Sequence, residues 1–422
     1  MKVLVISHNV FCKTTNMGKT LMGYFDGIDP NDIAQFYIHS EIPTTDLCKN
    51  YYRITDKDAI KSIFTRKSGT VFCEKDIKFD AESSRTDSGN DAKRYQKARK
   101  RTPLVYLARN LWWSLGAWKT KKLLRWVDDF DPDVVFFASG DYAFMYKIAL
   151  KIAKYKKIPL IVSCMDDYYF YNKNEKRFLG KFTHKLFMRQ VEKTMKYSSE
   201  IFCICDKMSR DYGELFGKPT VTIHTRTTIV EPLNYGKTNA ISYIGNLGYK
   251  RNEQLVKIGK ALKELDIPEK PDFIDVYSGE KNPEILKDMT EENGIKFHGS
   301  ISADKVLEVM GKSIAIIHTE SFDPEMRKRV AYSVSTKIAD SLASGTCIFA
   351  LGPEDVASME YLIENEAAVC VTSECFIKKE LESIILDREK RLRTVKKAVL
   401  LAKEKHSADN NICIMLQDKF NF

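Results

Sequence analysis

Two short segments in the second half of the chain combine glycines, hydroxyl side chains and cations, which are the groups that bind phosphate. In the segment 243–251, a predicted strand runs into Gly245 and Gly248, and then into Lys250 and Arg251 at the start of a predicted helix. Glycine lets the backbone approach a ligand closely, and two cations at a helix start can neutralise phosphate charge. Taken alone, however, this Lys-Arg pair is explained more simply as solvated surface.

The second segment begins with Ser335, Thr336 and Lys337 and continues as a predicted helix. Ser335 is a residue type that caps helix N-termini, so all three side chains could face an anion there. Upstream, Glu320 follows the carboxyl end of a predicted buried strand, which in open α/β sheets is the edge that faces the ligand. The alternative is a well-capped helix with a purely structural role.

Gly18 is the phosphate-binding candidate in the first half of the chain. It opens a predicted helix, where free backbone N–H groups favour an anion, although an ordinary βα loop explains the pattern equally well. The segment is not a P-loop, because Lys13 occupies a position where that motif requires glycine. No Gly-x-Gly-x-x-Gly follows the first strand of either half, which argues against a dinucleotide enzyme.

Short apolar runs alternate with helical patterns along the chain, which is typical of parallel α/β folding. The alternation pauses and restarts, so the sequence predicts two doubly wound domains joined near residues 226–239. Residues 66–90 are polar and interrupt the pattern, and we interpret them as a mobile loop. The predicted strands cover 2–7, 133–138, 158–164, 200–205, 240–244, 272–277, 295–298, 313–318 and 346–350. The predicted helices cover 18–25, 142–155, 176–197, 252–265, 303–310, 336–343 and 380–404.

The chain has 422 residues and a net charge of +10, and one segment holds the basic excess. Residues 92–127 contain 11 Lys or Arg, no Asp or Glu, an amphipathic run of leucines and all 4 tryptophans. Tryptophan prefers the lipid headgroup region, and cations are attracted to anionic lipid. We therefore predict that Trp112, Trp113 and Trp118 contact an anionic membrane, together with a second basic and apolar helix near 178–193. The alternatives are that both helices pack in the core of the first domain, or that the patch binds nucleic acid.

The hydropathy of the chain, its N-terminus and its cysteine spacing favour a cytoplasmic protein without a metal. No stretch approaches the roughly 20 apolar residues of a membrane-spanning helix, and the N-terminus does not match a signal peptide. The 10 cysteines show no Cys-x-x-Cys pair, which argues against zinc and is compatible with reduced thiols.

The second half of the chain resembles the donor domain of GT-B glycosyltransferases, most closely the retaining family-four type of bacterial surface-polysaccharide enzymes. The motifs that carry this resemblance are Ile244-Gly245-Asn246 with Lys250-Arg251, Tyr277-Ser278-Gly279, Phe297-His298-Gly299, and Ser335-Thr336-Lys337-Ile338 with Asp340-Ser341-Leu342-Ala343-Ser344-Gly345. The first half resembles the more variable acceptor domain of these enzymes. Its motifs are the Gly18 loop, Asp131-Pro132-Asp133-Val134-Val135, Ile158-Pro159-Leu160-Ile161 and Ser199-Glu200-Ile201-Phe202.

The resemblance implies an α/β GT-B fold, in which two Rossmann-like doubly wound domains face a central cleft. Residues 1–226 would form the acceptor-side domain, with the loop 66–90 and the basic, Trp-rich helical segment 92–126. Residues 240–400 would form the nucleotide-sugar donor domain. The tail at 401–422 could return to the first domain.

The resemblance also implies roles for single residues. Cations would hold the donor diphosphate, so that no metal or other cofactor is required. Glu320 matches the first catalytic carboxylate of a paired motif, and Asp340 stands where the second belongs, farther along the chain than in the family because residues are inserted between Phe322 and Val334. Asp166 would be a catalytic base or an acceptor contact, with a helix N-cap as the alternative. The implied donor-binding residues are Gly245, Asn246, Lys250, Arg251, Gly279, His298, Ser335, Thr336, Lys337 and Asp340.

The sequence therefore predicts a hexosyltransferase-like enzyme that transfers sugar from a UDP-, GDP-, ADP- or dTDP-linked donor, with retention. The predicted acceptor is a lipid-linked polysaccharide or oligosaccharide, such as a capsule or exopolysaccharide precursor. The enzyme would be cytoplasmic and peripheral on the inner face of the cell membrane. The alternatives are a non-catalytic GT-B-like subunit of a polysaccharide assembly and a nucleotide-sugar 2-epimerase, and nucleic acid is not an expected partner.

Overall fold

The computed structural model describes residues 1–12, 16–65, 69–73, 76, 103–115, 118–171, 178–229 and 238–407. It divides the chain into two compact units. Of the described residues, the first unit contains Met1–Ile204 and Met208–Ile223, and the second contains Cys205–Lys207 and the residues from His224 to Ser407. The predicted tail lies largely outside the described residues, which end at Ser407.

The first unit is built on an 8-stranded sheet with the strand order β4-β3-β2-β1-β5-β6-β7-β8. All neighbouring strands are parallel except β3 and β4. The strands are β1 (Val3–Ser7), β2 (Ile33–Tyr37), β3 (Asn50–Arg53), β4 (Thr70–Phe72), β5 (Val134–Ala138), β6 (Leu160–Cys164), β7 (Glu200–Cys203) and β8 (Thr220–Thr222). Central strands such as β1 and β5 are buried along their whole length, because helices cover both faces of a parallel sheet.

Among the described residues, seven α-helices connect the strands of this sheet. They are α1 (Asn16–Phe25), α2 (Asp56–Thr65), α3 (Pro103–Ser114), α4 (Lys121–Phe130), α5 (Ala143–Lys156), α6 (Phe178–Tyr197) and α7 (Asp206–Phe216). Local signals set their ends. Thr120 caps α4 by accepting a hydrogen bond from the Leu123 amide at 3.2 Å, and Lys157 ends α5 in the left-handed conformation, with φ of 58°.

The second unit has a 6-stranded parallel sheet with the order β11-β10-β9-β12-β13-β14. Its strands are β9 (Ile241–Ile244), β10 (Ile274–Tyr277), β11 (Ile295–Gly299), β12 (Ala315–Thr319), β13 (Cys347–Leu351) and β14 (Val369–Val371). Its helices are α8 (Arg251–Lys263), α9 (Pro283–Leu286), α10 (Ala303–Lys312), α11 (Pro324–Val330), α12 (Thr336–Ala343), α13 (Ala357–Glu364), α14 (Ile377–Leu386) and α15 (Arg388–His406). The prediction of an α/β chain with two parallel-sheet domains is confirmed.

Several elements differ from the predictions. Strands β2 and β3 were not predicted, because buried polar residues interrupt their apolar pattern; in β2, Gln35 is fully buried and donates to the Ser7 hydroxyl at 2.8 Å. The described part of the predicted mobile loop 66–90 includes strand β4, and most of the rest lies outside the described residues. The predicted helix 380–404 is two helices, because Asp387 leaves the helical conformation and caps α15.

The tryptophans of the basic segment are largely buried, which corrects the predicted membrane contacts. Trp113 is 1% exposed, its Nε1 donates to Asp56 at 2.8 Å, and its ring stacks on Phe144. Trp118 is also buried, and Trp112 is half-buried. The prediction is therefore wrong for Trp113, which lies on the core side of α3, and for Trp118, which is 2% exposed and follows that helix. The flanking cations at 93–101 lie outside the described residues.

Among the described residues, no helix is both long enough and apolar enough to cross a bilayer.

Candidate functional site

The turn between β9 and α8 has the geometry of a backbone cradle. Tyr249 and Lys250 both adopt left-handed φ angles, of 58° and 59°, and no side chain caps the helix at Lys250. The Gly248 amide donates to the Asn246 side chain at 2.5 Å. A Cβ atom on Gly245 would lie 2.9 Å from the Tyr243 hydroxyl, so only glycine fits there without a shift. The first amides of α8 therefore lie at the carboxyl edge of the parallel sheet, where a negative group is favoured.

Arg251 and Glu320 form a buried bidentate ion pair at this edge. The Arg251 Nη2 atom lies 2.7 Å from Glu320 Oε1, and Nε lies 3.1 Å from Oε2. Glu320 follows β12 and is 1% exposed, and its amide donates to the Leu351 carbonyl. Burial raises the pKa of Glu320, and the Arg251 charge opposes that change. Burial also disfavours the charge on Arg251, but the Glu320 carboxylate outweighs it, so that the pKa of Arg251 is raised. The pair holds the guanidinium in a fixed position.

Lys250 pairs with Asp323, a residue that the sequence analysis missed. The Lys250 Nζ atom lies 2.6 Å from Asp323 Oδ2, and both side chains are partly exposed. The hydrogen bond from Lys250 lowers the pKa of Asp323. Asp323 also caps α11 by accepting hydrogen bonds from the Glu325 and Met326 amides. The Asp-Pro dipeptide at the start of the inserted segment was the available signal, because Asp followed by Pro is typical of a helix start.

His318 lies beneath the same cluster in β12. Its Nε2 atom is out of contact with water and has no hydrogen-bond partner among the described residues. Burial, with a smaller effect from the Arg251 charge, lowers the pKa of His318 to about 3. The imidazole is therefore neutral at physiological pH, and it adds no positive charge beside Arg251.

The start of α12 matches the predicted cap. Ser335 is the N-cap, and its hydroxyl accepts from the Lys337 amide at 3.3 Å. Thr336 is exposed, and the Lys337 ammonium lies 3.9 Å from Asp340 Oδ2. Asp340 also accepts a hydrogen bond from the Thr227 hydroxyl at 2.9 Å. Because α12 connects two parallel strands, its first turn lies at the same sheet edge as Glu320.

Gly279 and His298 belong to the neighbouring strands of this sheet. Gly279 follows β10 and Ser278. His298 lies in β11, where its ring stacks on Tyr277 with centroids 4.6 Å apart and its Nε2 lies 2.6 Å from Asp275 Oδ1. The stacked pair offers a partly exposed aromatic surface beside the cation cluster.

In the first unit, Asp166 follows β6 at the carboxyl edge of the sheet. Its Oδ1 atom accepts from the Asp167 amide at 2.9 Å. Residues 167–171 are not helical, so Asp166 does not cap a helix that starts directly after it. Asp167 has the more structural role, because it accepts from the Tyr169 and Phe170 amides and from the Tyr212 hydroxyl, and burial raises its pKa.

Gly18 is buried inside α1, which begins at Asn16 rather than at Gly18 as predicted. The loop before it, 13–15, lies outside the described residues. Two histidines that were assigned no function lie at the ends of the adjacent strands β1 and β2. The His8 ring stacks on Tyr142 and lies 5.7 Å from the His39 ring, and His39 lies 3.3 Å from Glu41. These two histidines are too far apart in sequence to form a recognisable local motif. They come close together because β1 and β2 are neighbours in the sheet.

The structure thus pairs Arg251 with Glu320 and Lys250 with Asp323. Gly245 lies in the same segment between β9 and α8. Lys337 and Asp340 share the same sheet edge but pair with each other. Gly18 and Asp166 belong to the first unit. Within the described ranges, no group of three or more metal-ligating side chains converges.

No protein-family model matches the chain, and no curated protein is significantly similar to it in sequence. Solved structures are similar over the whole chain. Anabaena HepE (Alr3699) in complex with UDP has a TM-score of 0.62 and 10% identity, and the match covers 100% of both chains. The UDP-forming α,α-trehalose-phosphate synthase of Burkholderia xenovorans has a TM-score of 0.59 and 9% identity, over 100% of this chain and 99% of the synthase. The sucrose-phosphate synthase of Thermosynechococcus elongatus has a TM-score of 0.59 and 8% identity, over 100% of this chain and 98% of that enzyme. At these identities the likeness establishes the architecture, and the chain therefore has the GT-B fold.

Proposed function

We propose that this protein is a glycosyltransferase that takes its sugar from a nucleotide-sugar donor. The observation that carries the proposal is the pair of cations at the start of α8, at the carboxyl edge of the second sheet of a GT-B-fold chain. When a sugar leaves a nucleotide, charge develops on the diphosphate, and fixed cations stabilise that charge. UDP is the first nucleotide to test, because HepE has been crystallised with UDP and UDP-glucose, and the trehalose-phosphate synthase is UDP-forming.

The two cations would contribute differently. Arg251 is held by a buried carboxylate and would present a preoriented guanidinium, with Glu320 as its positioning residue. Lys250 is paired at the surface, where water screens the interaction with Asp323. A diphosphate could therefore draw Lys250 away from Asp323 at little cost, while Arg251 keeps its partner. Lys337 would supply a third cation from the start of α12.

The acceptor side of the reaction belongs to the first unit in this proposal. Asp166 would act as a base or acceptor contact at the end of β6. His8 and His39 would contribute polar contacts at the ends of β1 and β2, on the other side of β5 in the same sheet. We further propose that the reaction proceeds with retention, as in the enzymes that the donor motifs resemble. The anomeric configuration of the product, measured by NMR, tests this point.

We infer a lipid-linked saccharide as the acceptor and a peripheral location on the inner face of the cell membrane. The support is the segment 92–127, which contains 11 cations and no acidic residue. Arg109 is buried against Asp56, and the other cations of the segment suit an anionic lipid surface. Incubating the protein with labelled donor and a lipid extract of the source cells tests the acceptor. Label in the organic phase would support it, and label found only in soluble products would contradict it.

Calorimetric titration with UDP and UDP-glucose tests the donor site directly. We expect binding to the unmodified protein, weaker binding to Lys337→Ala and Arg251→Lys, and unchanged binding to Lys328→Ala, an exposed lysine of α11 that serves as the control. Arg251→Lys keeps the charge but loses the bidentate geometry. Equal affinity in all four proteins would remove these residues from the donor site.

A second candidate function is that of a GT-B subunit that binds a nucleotide but does not catalyse sugar transfer. The pairing of both α8 cations with carboxylates favours it, because each charge is already neutralised. Nucleotide binding without sugar release or transfer would support this candidate. Interconversion of UDP-sugars without any acceptor would instead indicate a 2-epimerase.

A further inference from the structure

Helices α3 and α6 expose apolar side chains on one face of the first unit. The α3–α6 face is defined here by six side chains, each at least 40% exposed, with Phe178 at 89%. They are Leu104, Leu111 and Leu115 at α3, and Phe178, Phe182 and Leu186 of α6. The spacing of seven and four residues along α3 places its three leucines on a single stripe.

The two helices border one shared groove, which makes their apolar residues a continuous surface. The groove has a volume of about 220 Å³, and α5 provides its third wall. Leu107 and Ser114 line it from α3, each within one helical turn of Leu111. Leu186 lines it from α6 and is at the same time exposed.

In the two helices that form this face, basic side chains outnumber acidic ones. Helix α3 contains no acidic residue, and its only cation, Arg109, is buried against Asp56. Helix α6 contains five Lys or Arg and a single acid, Glu192, which accepts a hydrogen bond from the Tyr169 hydroxyl. Lys181, Lys185 and Arg189 are exposed and alternate with the apolar residues of α6. In sequence, six further cations at 93–101 lead directly into α3.

We propose that the α3–α6 face docks the protein on an anionic phospholipid bilayer. Leucines and phenylalanines would enter the boundary between headgroups and acyl chains, while the cations beside them remain at the phosphate level. This assignment rests on the proposed function, since it names the surface by which the enzyme would reach a lipid-linked acceptor. It replaces the buried Trp113 and Trp118 with residues that the fold leaves exposed.

Co-sedimentation with vesicles of equal parts phosphatidylcholine and phosphatidylglycerol tests the proposal. We expect the full chain to bind these vesicles, and to bind pure phosphatidylcholine at least about tenfold more weakly, because each cation near anionic lipid adds to the affinity. The triple variant Lys181→Glu, Lys185→Glu, Arg189→Glu should lose about tenfold or more on the mixed vesicles. Leu104→Ser, Leu111→Ser, Leu115→Ser should lose a similar amount.

Matched controls come from the second unit, where α15 also exposes leucines and lysines. Leu392→Ser with Leu400→Ser, and Lys396→Glu with Lys403→Glu and Lys405→Glu, should leave vesicle binding unchanged. Equal vesicle binding by the face variants and these controls would overturn the assignment. Two other results would also overturn the assignment if the protein does not bind vesicles. One is self-association through the face, measured by light scattering, and the other is salt-sensitive binding of RNA. UDP titration of the same variants separates the two proposals. If the face variants lose vesicle binding but keep their affinity for UDP, the result supports the α3–α6 face as the membrane-binding surface. If the protein binds vesicles but not UDP, the result counts only against the donor site.

Discussion

Among single residues, the buried ion pair between Arg251 and Glu320 fixes the position of the guanidinium in the candidate donor site. Replacing Arg251 with Ala would leave a carboxylate that is 1% exposed without its partner. Removing one partner of a buried pair typically costs about 3–5 kcal/mol of folding stability. We therefore expect Arg251→Ala to lower the free energy of unfolding by an amount in that range, measured by urea denaturation.

Lys250→Ala is the comparison for this loss. The Lys250–Asp323 pair is exposed to water, so its removal should change stability little while weakening nucleotide binding. Equal destabilisation by the two substitutions would show that the Arg251–Glu320 pair does not behave as a buried pair.

His318 gives the site a defined pH dependence. Its pKa is about 3 in the folded protein and about 6.5 when unfolded. Between these values the unfolded chain binds a proton that the folded chain does not, so this group lowers stability as the pH falls below about 6.5 and has no effect above it. The slope can reach about 1.4 kcal/mol per pH unit.

The variant His318→Asn removes this titration. Urea denaturation at several pH values between neutrality and pH 4.5 should give a shallower loss of stability for the variant than for the unmodified protein. If the free energy of unfolding changes with pH in the same way in both proteins, the result would contradict the neutral, buried state of His318.

At the scale of elements, α3 separates a buried side from an exposed one. Trp113 is packed on Phe144 and bonded to Asp56, whereas Leu111 is 66% exposed. Trp113→Ala should therefore cost about 3–5 kcal/mol of stability, and Leu111→Ala should change it by less than about 0.5 kcal/mol. Thermal or urea unfolding of both variants measures the difference, and comparable losses would refute this orientation of α3.

The same helix illustrates what sequence alone could predict. Amphipathicity in 104–115 was visible, but a helix with apolar residues on most of its surface does not reveal which side faces the core. Residue types favoured the tryptophans as membrane contacts; the packing of α3 against α5 and α6 assigns exposure to the leucines instead. Strands β5 and β6 were predictable because their apolar runs are uninterrupted, whereas β2 depends on the long-range bond between Gln35 and Ser7.

The candidate donor site likewise contains residues that the sequence could identify and one that it could not. Gly245, Lys250 and Arg251 could be identified from a local pattern of strand, glycine and cation. Asp323 could not, because its contact with Lys250 spans 73 residues and depends on the order of β9 and β12 in the sheet. The inserted segment 322–334, which separates Glu320 from Asp340, was visible only as added length, and it folds into α11 with Asp323 as its cap.

The whole molecule is a GT-B-fold chain with a cation cluster that, as we propose, binds a nucleotide-sugar. The most direct test of this binding is a thermal-shift screen with UDP, GDP, ADP, CMP and dTDP, each with and without its sugar. A ligand that binds only the folded protein raises its stability by about 2.7 kcal/mol at a concentration of 100 times Kd. We expect an increase in melting temperature that is selective for one nucleotide and is lost in Lys337→Ala but not in Lys328→Ala. Unchanged melting temperatures with all five nucleotides and their sugars would contradict the proposed binding.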